Sequence, residues 1–266
     1  MSTDNGKKPQ VLCFSGLDPS GGAGIQADIE ALFSAGCHCL PVVTSLTVQD
    51  SRNVLSAENV APALLVQQAR AVLEDVNVQA IKIGLLGSVQ SMEVIHTILK
   101  DYPRIPVVLD PILWAGGGYD FSSEDVASAM KSLLLPLTHV LTPNTRELEA
   151  LSPFADTQDA GAASLLELGC KHVLLTGTHA DTNHVINSLY TDHSPVQRFE
   201  WPRLPHEYHG SGCTLAASLA AYIAHGFAIG EAARRAQQYT WESLQAGNRP
   251  GFGQWLPDRA YWNTQK

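Results

Sequence analysis

The chain has 266 residues, a length that α/β folds routinely use as one domain. Apolar residues make up 45 % and charged residues 16 %, which predicts a large buried core and excludes a disordered or fibrous chain. A net charge of −9, with Lys7–Lys8 and Arg234–Arg235 the only adjacent basic pairs, argues against nucleic acid and anionic membrane surfaces as partners.

Residues 1–10 form a polar extension, and the apolar run that follows reaches only Leu17 before Asp18, poor material for a secretory signal. Short apolar, largely β-branched runs then recur at 11–15, 40–44, 80–83, 106–109, 139–142, 171–175 and 185–190. They lack the alternation of a half-exposed sheet and predict strands buried on both faces. Helical periodicity lies between them: Ile25, Ile29, Leu32 and Phe33, then Leu65, Ala69, Val72 and Leu73, and later Leu215, Leu219, Tyr222 and Ile223. This alternation predicts a single three-layer α/β domain over 1–266, a mostly parallel central sheet flanked by helices. The nearly uncharged stretch 213–230 is Ala- and Ser-rich and contains His225 and Gly226, so it reads as a buried helix, not a membrane span. The five cysteines contain no C-x-x-C pair and predict neither disulfides nor a zinc site. Together these features predict a soluble, cytoplasmic protein.

In a parallel sheet, ligands bind beyond the C-terminal ends of the strands. Six chemically loaded segments follow predicted strands on that edge: 15–24, 44–49, 82–84, 110–111, 142–147 and 176–177. A seventh, His209-Gly-Ser-Gly-Cys-Thr214, opens the small-residue helix that runs to about Ala224. Glycines ahead of a helix let backbone N–H groups converge on an anion. At that position the pKa of Cys213 is expected to fall toward roughly 3.5–7.5, giving a thiolate base or nucleophile; the plainer alternative is a small packed hydrophobe. Gly22 to Ala27 matches G-x-G-x-x-A with Asp50 downstream, a nicotinamide-binding signal weakened by the residues between strand and glycines. There is no G-x-x-x-x-G-K-[ST], so any phosphoryl transfer is not of the P-loop kind. Asn144 and Glu147 stand three apart at a helix start, where they suit hydrated Mg²⁺ with Asp110 as a second hard ligand, or else a capping box. Trp201, Trp241, Trp255 and Trp262 follow no period and are expected to pack rather than stack on a base.

Taken in order, 16–28 (Gly-Leu-Asp-Pro-Ser-Gly-Gly-Ala-Gly-Ile-Gln-Ala-Asp), 44–49 (Thr-Ser-Leu-Thr-Val-Gln), Lys-Ile-Gly at 82–84, Asp-Pro-Ile at 110–112, Thr-Pro-Asn-x-x-Glu at 142–147 and Gly-Ser-Gly-Cys-Thr-Leu at 210–215 closely resemble the hydroxymethylpyrimidine/phosphomethylpyrimidine kinases of thiamine biosynthesis, in the ribokinase-like superfamily. The resemblance covers roughly residues 11 to 245. It implies a phosphotransferase that uses ATP and Mg²⁺ to phosphorylate 4-amino-5-hydroxymethyl-2-methylpyrimidine and then its monophosphate, acting as a homodimer. By motif it assigns Cys213 as catalytic base and Gly210, Ser211 and Gly212 as an anion hole. It assigns Gln49, Gly16, Ala23, Leu85 and Ile112 to the pyrimidine, Asn144 and Thr176 to ATP, and Asp110 and Glu147 to Mg²⁺.

The chain departs from the family pattern at three places. Thr176-Gly-Thr-His179 stands where Lys-Gly-Gly-His is common, Asn187 where Asp is usual, and Arg249-Pro-Gly-Phe-Gly-Gln-Trp255 replaces a Gly-Pro-rich tail. These departures keep two alternatives open: a pyridoxal or pyridoxine kinase, and a catalytically silent pyrimidine-binding sensor.

Overall fold

Nine strands and eight helices are described by the computed structural model, over residues 7–115, 118–121, 123–177 and 183–263. The strands are β1 (Gln10–Leu17), β2 (His38–Gln49), β3 (Val54–Asn59), β4 (Ala80–Ile83), β5 (Val107–Leu109), β6 (Val140–Leu141), β7 (His172–Leu175), β8 (His184–Thr191) and β9 (Gln197–Pro202). The helices are α1 (Gly24–Ser34), α2 (Pro62–Asp75), α3 (Val89–Asp101), α4 (Glu124–Ala129), α5 (Thr145–Leu151), α6 (Gln158–Glu167), α7 (Ser211–Ala224) and α8 (Ile229–Gln245).

The strands make one sheet in the order β3-β2-β1-β4-β5-β6-β7-β8-β9. The six from β2 to β7 in that order run parallel; β3 pairs antiparallel with β2, β8 with β7, and β9 with β8. Side chains alternate across it as the pleat requires. Leu12 and Phe14 of β1 join one core with Ile81, Ile83 and Leu109, covered by α2, α3, α5 and α6. Val11 and Cys13 join the opposite core with Ala80 and Val108, covered by α1, α7 and α8. The predicted three layers are present, and β4, β5 and β6 are buried throughout.

Three details differ from the sequence expectation. β2 continues to Gln49, so the segment from Thr44 lies inside the strand. It does so because β3, which was not expected, pairs with it as far as Gln49. The turn between them is closed by Asp50, whose Oδ1 accepts from the N–H groups of Arg52 and Asn53 at 2.8 and 3.1 Å. β9 was also missed; it is an edge strand, and its reading Gln-Arg-Phe-Glu-Trp-Pro alternates in the way an outer antiparallel strand does. All five cysteines are free. Among the described residues no helix is long and apolar enough to cross a membrane.

Candidate active site

The C-terminal ends of the parallel strands open onto a cavity of about 670 Å³. All thirteen residues assigned from sequence line it. Gly16 leaves β1, Gln49 ends β2, and Leu85, Asp110 and Ile112 follow β4 and β5. Asn144 and Glu147 begin α5, Thr176 follows β7, and Ala23 precedes α1. Gly210, Ser211, Gly212 and Cys213 open α7 on the facing wall.

The anion hole is set by backbone geometry. Gly210 is the N-cap of α7 at φ 81°, a left-handed conformation that favours glycine. A side chain there would also collide with the Gly22 carbonyl oxygen. Gly24, at φ 60°, is pressed just as closely against the carbonyl of Gly16, and its N–H lies on the side of the Cys213 thiol, whose charged form it favours. The glycine loop and the start of α7 therefore touch backbone to backbone, with the N–H groups of α7 facing the cavity.

Cys213 departs from the sequence expectation. It is only 6 % exposed, and burial pushes its thiol up to about 11; Lys82 and the Gly24 N–H pull it down, while Asp110 and Asp28 pull it up. The helix N-terminus and one buried cation do not outweigh loss of solvent and two nearby carboxylates.

The two carboxylates assigned to Mg²⁺ are also raised. Burial takes Asp110 to about 6 against the pull of Lys82, and burial with the nearby Asp110 charge takes Glu147 to about 8. Asn144 and Glu147 do form the capping box: each side chain accepts the other's N–H at 2.9 Å. The cap and the cavity position are both occupied by the same pair. Asp110 Oδ2, in contrast, is buried without a partner. Two buried carboxyl groups that resist ionisation, one with an unsatisfied oxygen, suit a hard divalent cation that would supply the missing charge. Among the described residues no group of three or more His, Cys, Asp or Glu side chains forms a ready-made metal site, so water and phosphate oxygens would complete the shell.

A scan against family models matches residues 18–257 to phosphomethylpyrimidine kinase. The chain belongs to the phosphomethylpyrimidine kinase family. It is 37 % identical to the hydroxymethylpyrimidine/phosphomethylpyrimidine kinase of Escherichia coli, over 81 % of this chain and 83 % of that one. It is 35 % identical to the thiamine biosynthesis bifunctional protein of Geobacter sulfurreducens, covering 91 % of this chain but about half of that longer protein. Its fold superposes on the Bacillus subtilis pyridoxal kinase solved as an ADP complex with a TM-score of 0.88, at 25 % identity, over 97 % of this chain and all of the other. The ribokinase-like α/β architecture expected from the motifs is thereby borne out.

With the family in hand, the departures acquire structural context. Thr176 is bridged to Asn144, and its hydroxyl donates to the Pro143 carbonyl at 3.4 Å; Thr178 and His179 lie outside the described residues. Asn187 is buried, accepting from the Gly177 N–H at 3.0 Å and donating to Gln237 Oε1 at 2.8 Å. The same Gln237 oxygen accepts from Trp201 Nε1 at 3.0 Å. Trp201 and Trp241 pack on each other with ring centroids 6.4 Å apart, and both line the cavity. The family match over residues 18–257 gives the glycine run Gly22–Ala27 no nicotinamide role; a side chain at Gly22 would meet the His209 ring and Leu256.

Sequence reasoning missed four groups. Asp18 accepts from the N–H groups of Ser20 and Ala23 at 2.8 Å, and His209 Nε2 lies 2.8 Å from it. Burial alone would raise its pKa, but the hydrogen bonds from His209 and Ser20 prevail and hold the carboxyl below its usual range. Lys82, fully buried, lies 2.9 Å from both Asp28 Oδ1 and Ser15 Oγ. Burial opposes its charge, yet Asp28, Cys213 and Asp110 hold it protonated with a raised pKa. Arg259 reaches the glycine loop from the far end of the chain. Asp18, Lys82 and His209 lay within quoted motifs and only Arg259 did not; what the sequence could not show is their pairing across long separations.

Proposed function

We propose that this chain, acting as one domain over residues 1–266, is a cytoplasmic ATP- and Mg²⁺-dependent kinase that phosphorylates 4-amino-5-hydroxymethyl-2-methylpyrimidine, and then the monophosphate, in thiamine biosynthesis. The observation that carries the reading is the convergence of Cys213, the α7 amides, Asp110, Glu147 and Gln49 on one cavity. Family membership over residues 18–257 supports the same activity.

Phosphoryl transfer asks mainly for positioning and charge neutralisation. Gln49 pairs with the pyrimidine edge, and Gly16, Ala23, Leu85 and Ile112 form its walls. Asn144 and Thr176 face the nucleotide phosphates, and the N–H groups of 210–213 receive the migrating group's negative charge. Asp110 and Glu147 would hold Mg²⁺, which when bound neutralises phosphate charge. Cys213 takes the alcohol proton as general base. Its thiol is held up in part by the Asp110 charge, so neutralising Asp110 lowers the thiol while Lys82 continues to favour the thiolate.

A coupled ADP-release assay with Mg-ATP and the hydroxymethylpyrimidine, products resolved by mass, tests the reading. Two successive phosphate additions are expected. Pyrimidine binding without any ADP would overturn it in favour of a sensor. The likeness to the Bacillus subtilis pyridoxal kinase sustains one rival, a vitamin B6 kinase. A kcat/KM for pyridoxine equal to or above that for the pyrimidine would establish it.

A further inference from the structure

The C-terminal segment runs over the acceptor half of the cavity and is hydrogen-bonded to it repeatedly. Gly253 N–H and Gln254 N–H donate to Ser51, two residues past Gln49, at 3.0 and 2.9 Å. The Trp255 carbonyl accepts from the His209 N–H at 2.9 Å, and the Trp255 ring stacks on His206 at 3.9 Å. The segment then delivers Arg259, only 2 % exposed, between the glycine loop and α7. Its guanidinium makes three side-chain contacts: Nη2 to the Gly22 carbonyl, Nε to Thr214 Oγ1 at 2.8 Å, and Nη1 to Glu30 Oε2 at 3.0 Å. Its own carbonyl accepts from Tyr239 at 2.8 Å and from Ser34 at 2.6 Å, which fixes the base of the side chain.

These contacts end on two peptide groups of the site. Thr214 accepts from Arg259 and donates to the Gly210 carbonyl at 2.8 Å. A peptide unit is planar, so holding that carbonyl also aims the Ser211 N–H, the first donor of the anion hole. The Gly22 carbonyl belongs to the same peptide as the Ala23 N–H, which donates to Asp18. Arg259 thus holds the Gly22–Ala23 plane directly and acts on the Gly210–Ser211 plane through the Thr214 hydroxyl, and a planar, forked cation is suited to serving both at once.

We infer that Arg259 is a positioning residue for phosphoryl transfer, locking the Gly22–Ala23 and Gly210–Ser211 peptide planes so that the anion hole and the acceptor pocket stay in register. The inference rests on the roles proposed above for residues 210–213. Loss of the fork loosens both planes, and displacements near 1 Å at such a site cost on the order of 10² in rate.

The experiment compares wild type, Arg259→Lys, Arg259→Ala, Thr214→Val and Cys213→Ala, with Tm, KM and kcat for each and added guanidinium ion for the first two variants. We expect Arg259→Ala to lose roughly 10²-fold in kcat with a smaller change in KM for ATP. Guanidinium should restore a large part of that loss in Arg259→Ala only, and Arg259→Lys should not substitute. Thr214→Val, which keeps Arg259, should lose at least roughly tenfold, so the inference stays testable if Arg259→Ala does not fold. Wild-type kcat in Thr214→Val or in Arg259→Lys, with Cys213→Ala impaired, overturns the inference alone. An unimpaired Cys213→Ala overturns the underlying assignment of the site.

Discussion

At the scale of single residues, Cys213 shows how burial and neighbours override a local motif. A helix N-terminus favours a thiolate, yet the sulfur sits among Asp110, Asp28 and one cation, and its thiol is pushed up to about 11. The free enzyme should therefore resist alkylation near neutral pH. The iodoacetamide rate at Cys213, followed by peptide mass to separate it from the other four free cysteines, should climb about tenfold per pH unit from 7 to 10 without levelling. A plateau below pH 8 would instead reveal a strongly acidic thiol and reverse this assignment. Cys213→Ala should bind the pyrimidine normally while kcat falls by roughly 10²–10⁴. The motif made the residue legible, but not its ionisation, because Asp28 and Lys82 approach it only once α1 and β4 are packed. The same holds for His209 with Asp18 and Arg259 with Gly22, pairs 191 and 237 positions apart.

At the scale of elements, the legible strands were mostly those whose side chains are buried on both faces. Their apolar runs identify β1, β4, β5, β6 and β7 directly, and the runs at 40–44 and 185–190 also found β2 and β8, although those two strands are partly exposed and not buried on both faces as expected. β3 and β9 were not legible as apolar runs because they lie at the two sheet edges, where half of each strand meets water. β9 nonetheless explains a departure from the family. Asn187 on β8 both accepts and donates, and its donor is matched to a Gln237 oxygen on α8 that also serves Trp201 on β9. The other end of the Gln237 amide donates to the Ala233 carbonyl at 2.9 Å, which fixes its orientation. An Asp at 187 would set a carboxylate against that oxygen, and turning the amide would strand the Trp201 N–H. Asn187→Asp should therefore destabilise the protein by about 1–3 kcal/mol, seen as a lower urea midpoint at unchanged m-value. An unchanged midpoint would mean that the three residues are not linked as described.

At the scale of the whole molecule, the β2–β3 hairpin presents two unlike faces. Thr47 and Gln49 turn to the cavity. Leu46 and Val48, offset by one residue and hence on the opposite side, are 49 % and 57 % exposed. Neighbouring apolar side chains on a sheet with a free β3 edge make a surface that water penalises and a second copy of the chain would cover. The homodimer implied by the family resemblance is proposed to form here. Sedimentation equilibrium should then return twice the 28.6 kDa chain mass. Leu46→Lys combined with Val48→Lys should return a folded single chain, since neither side chain belongs to either core, with Tm lowered only by loss of the partner. Because the same strand carries Gln49, the separated chain should also show a raised KM for the pyrimidine and an unaltered KM for ATP. A wild-type protein that sediments at the mass of one chain, or a double variant that still pairs, would remove this face from the assembly.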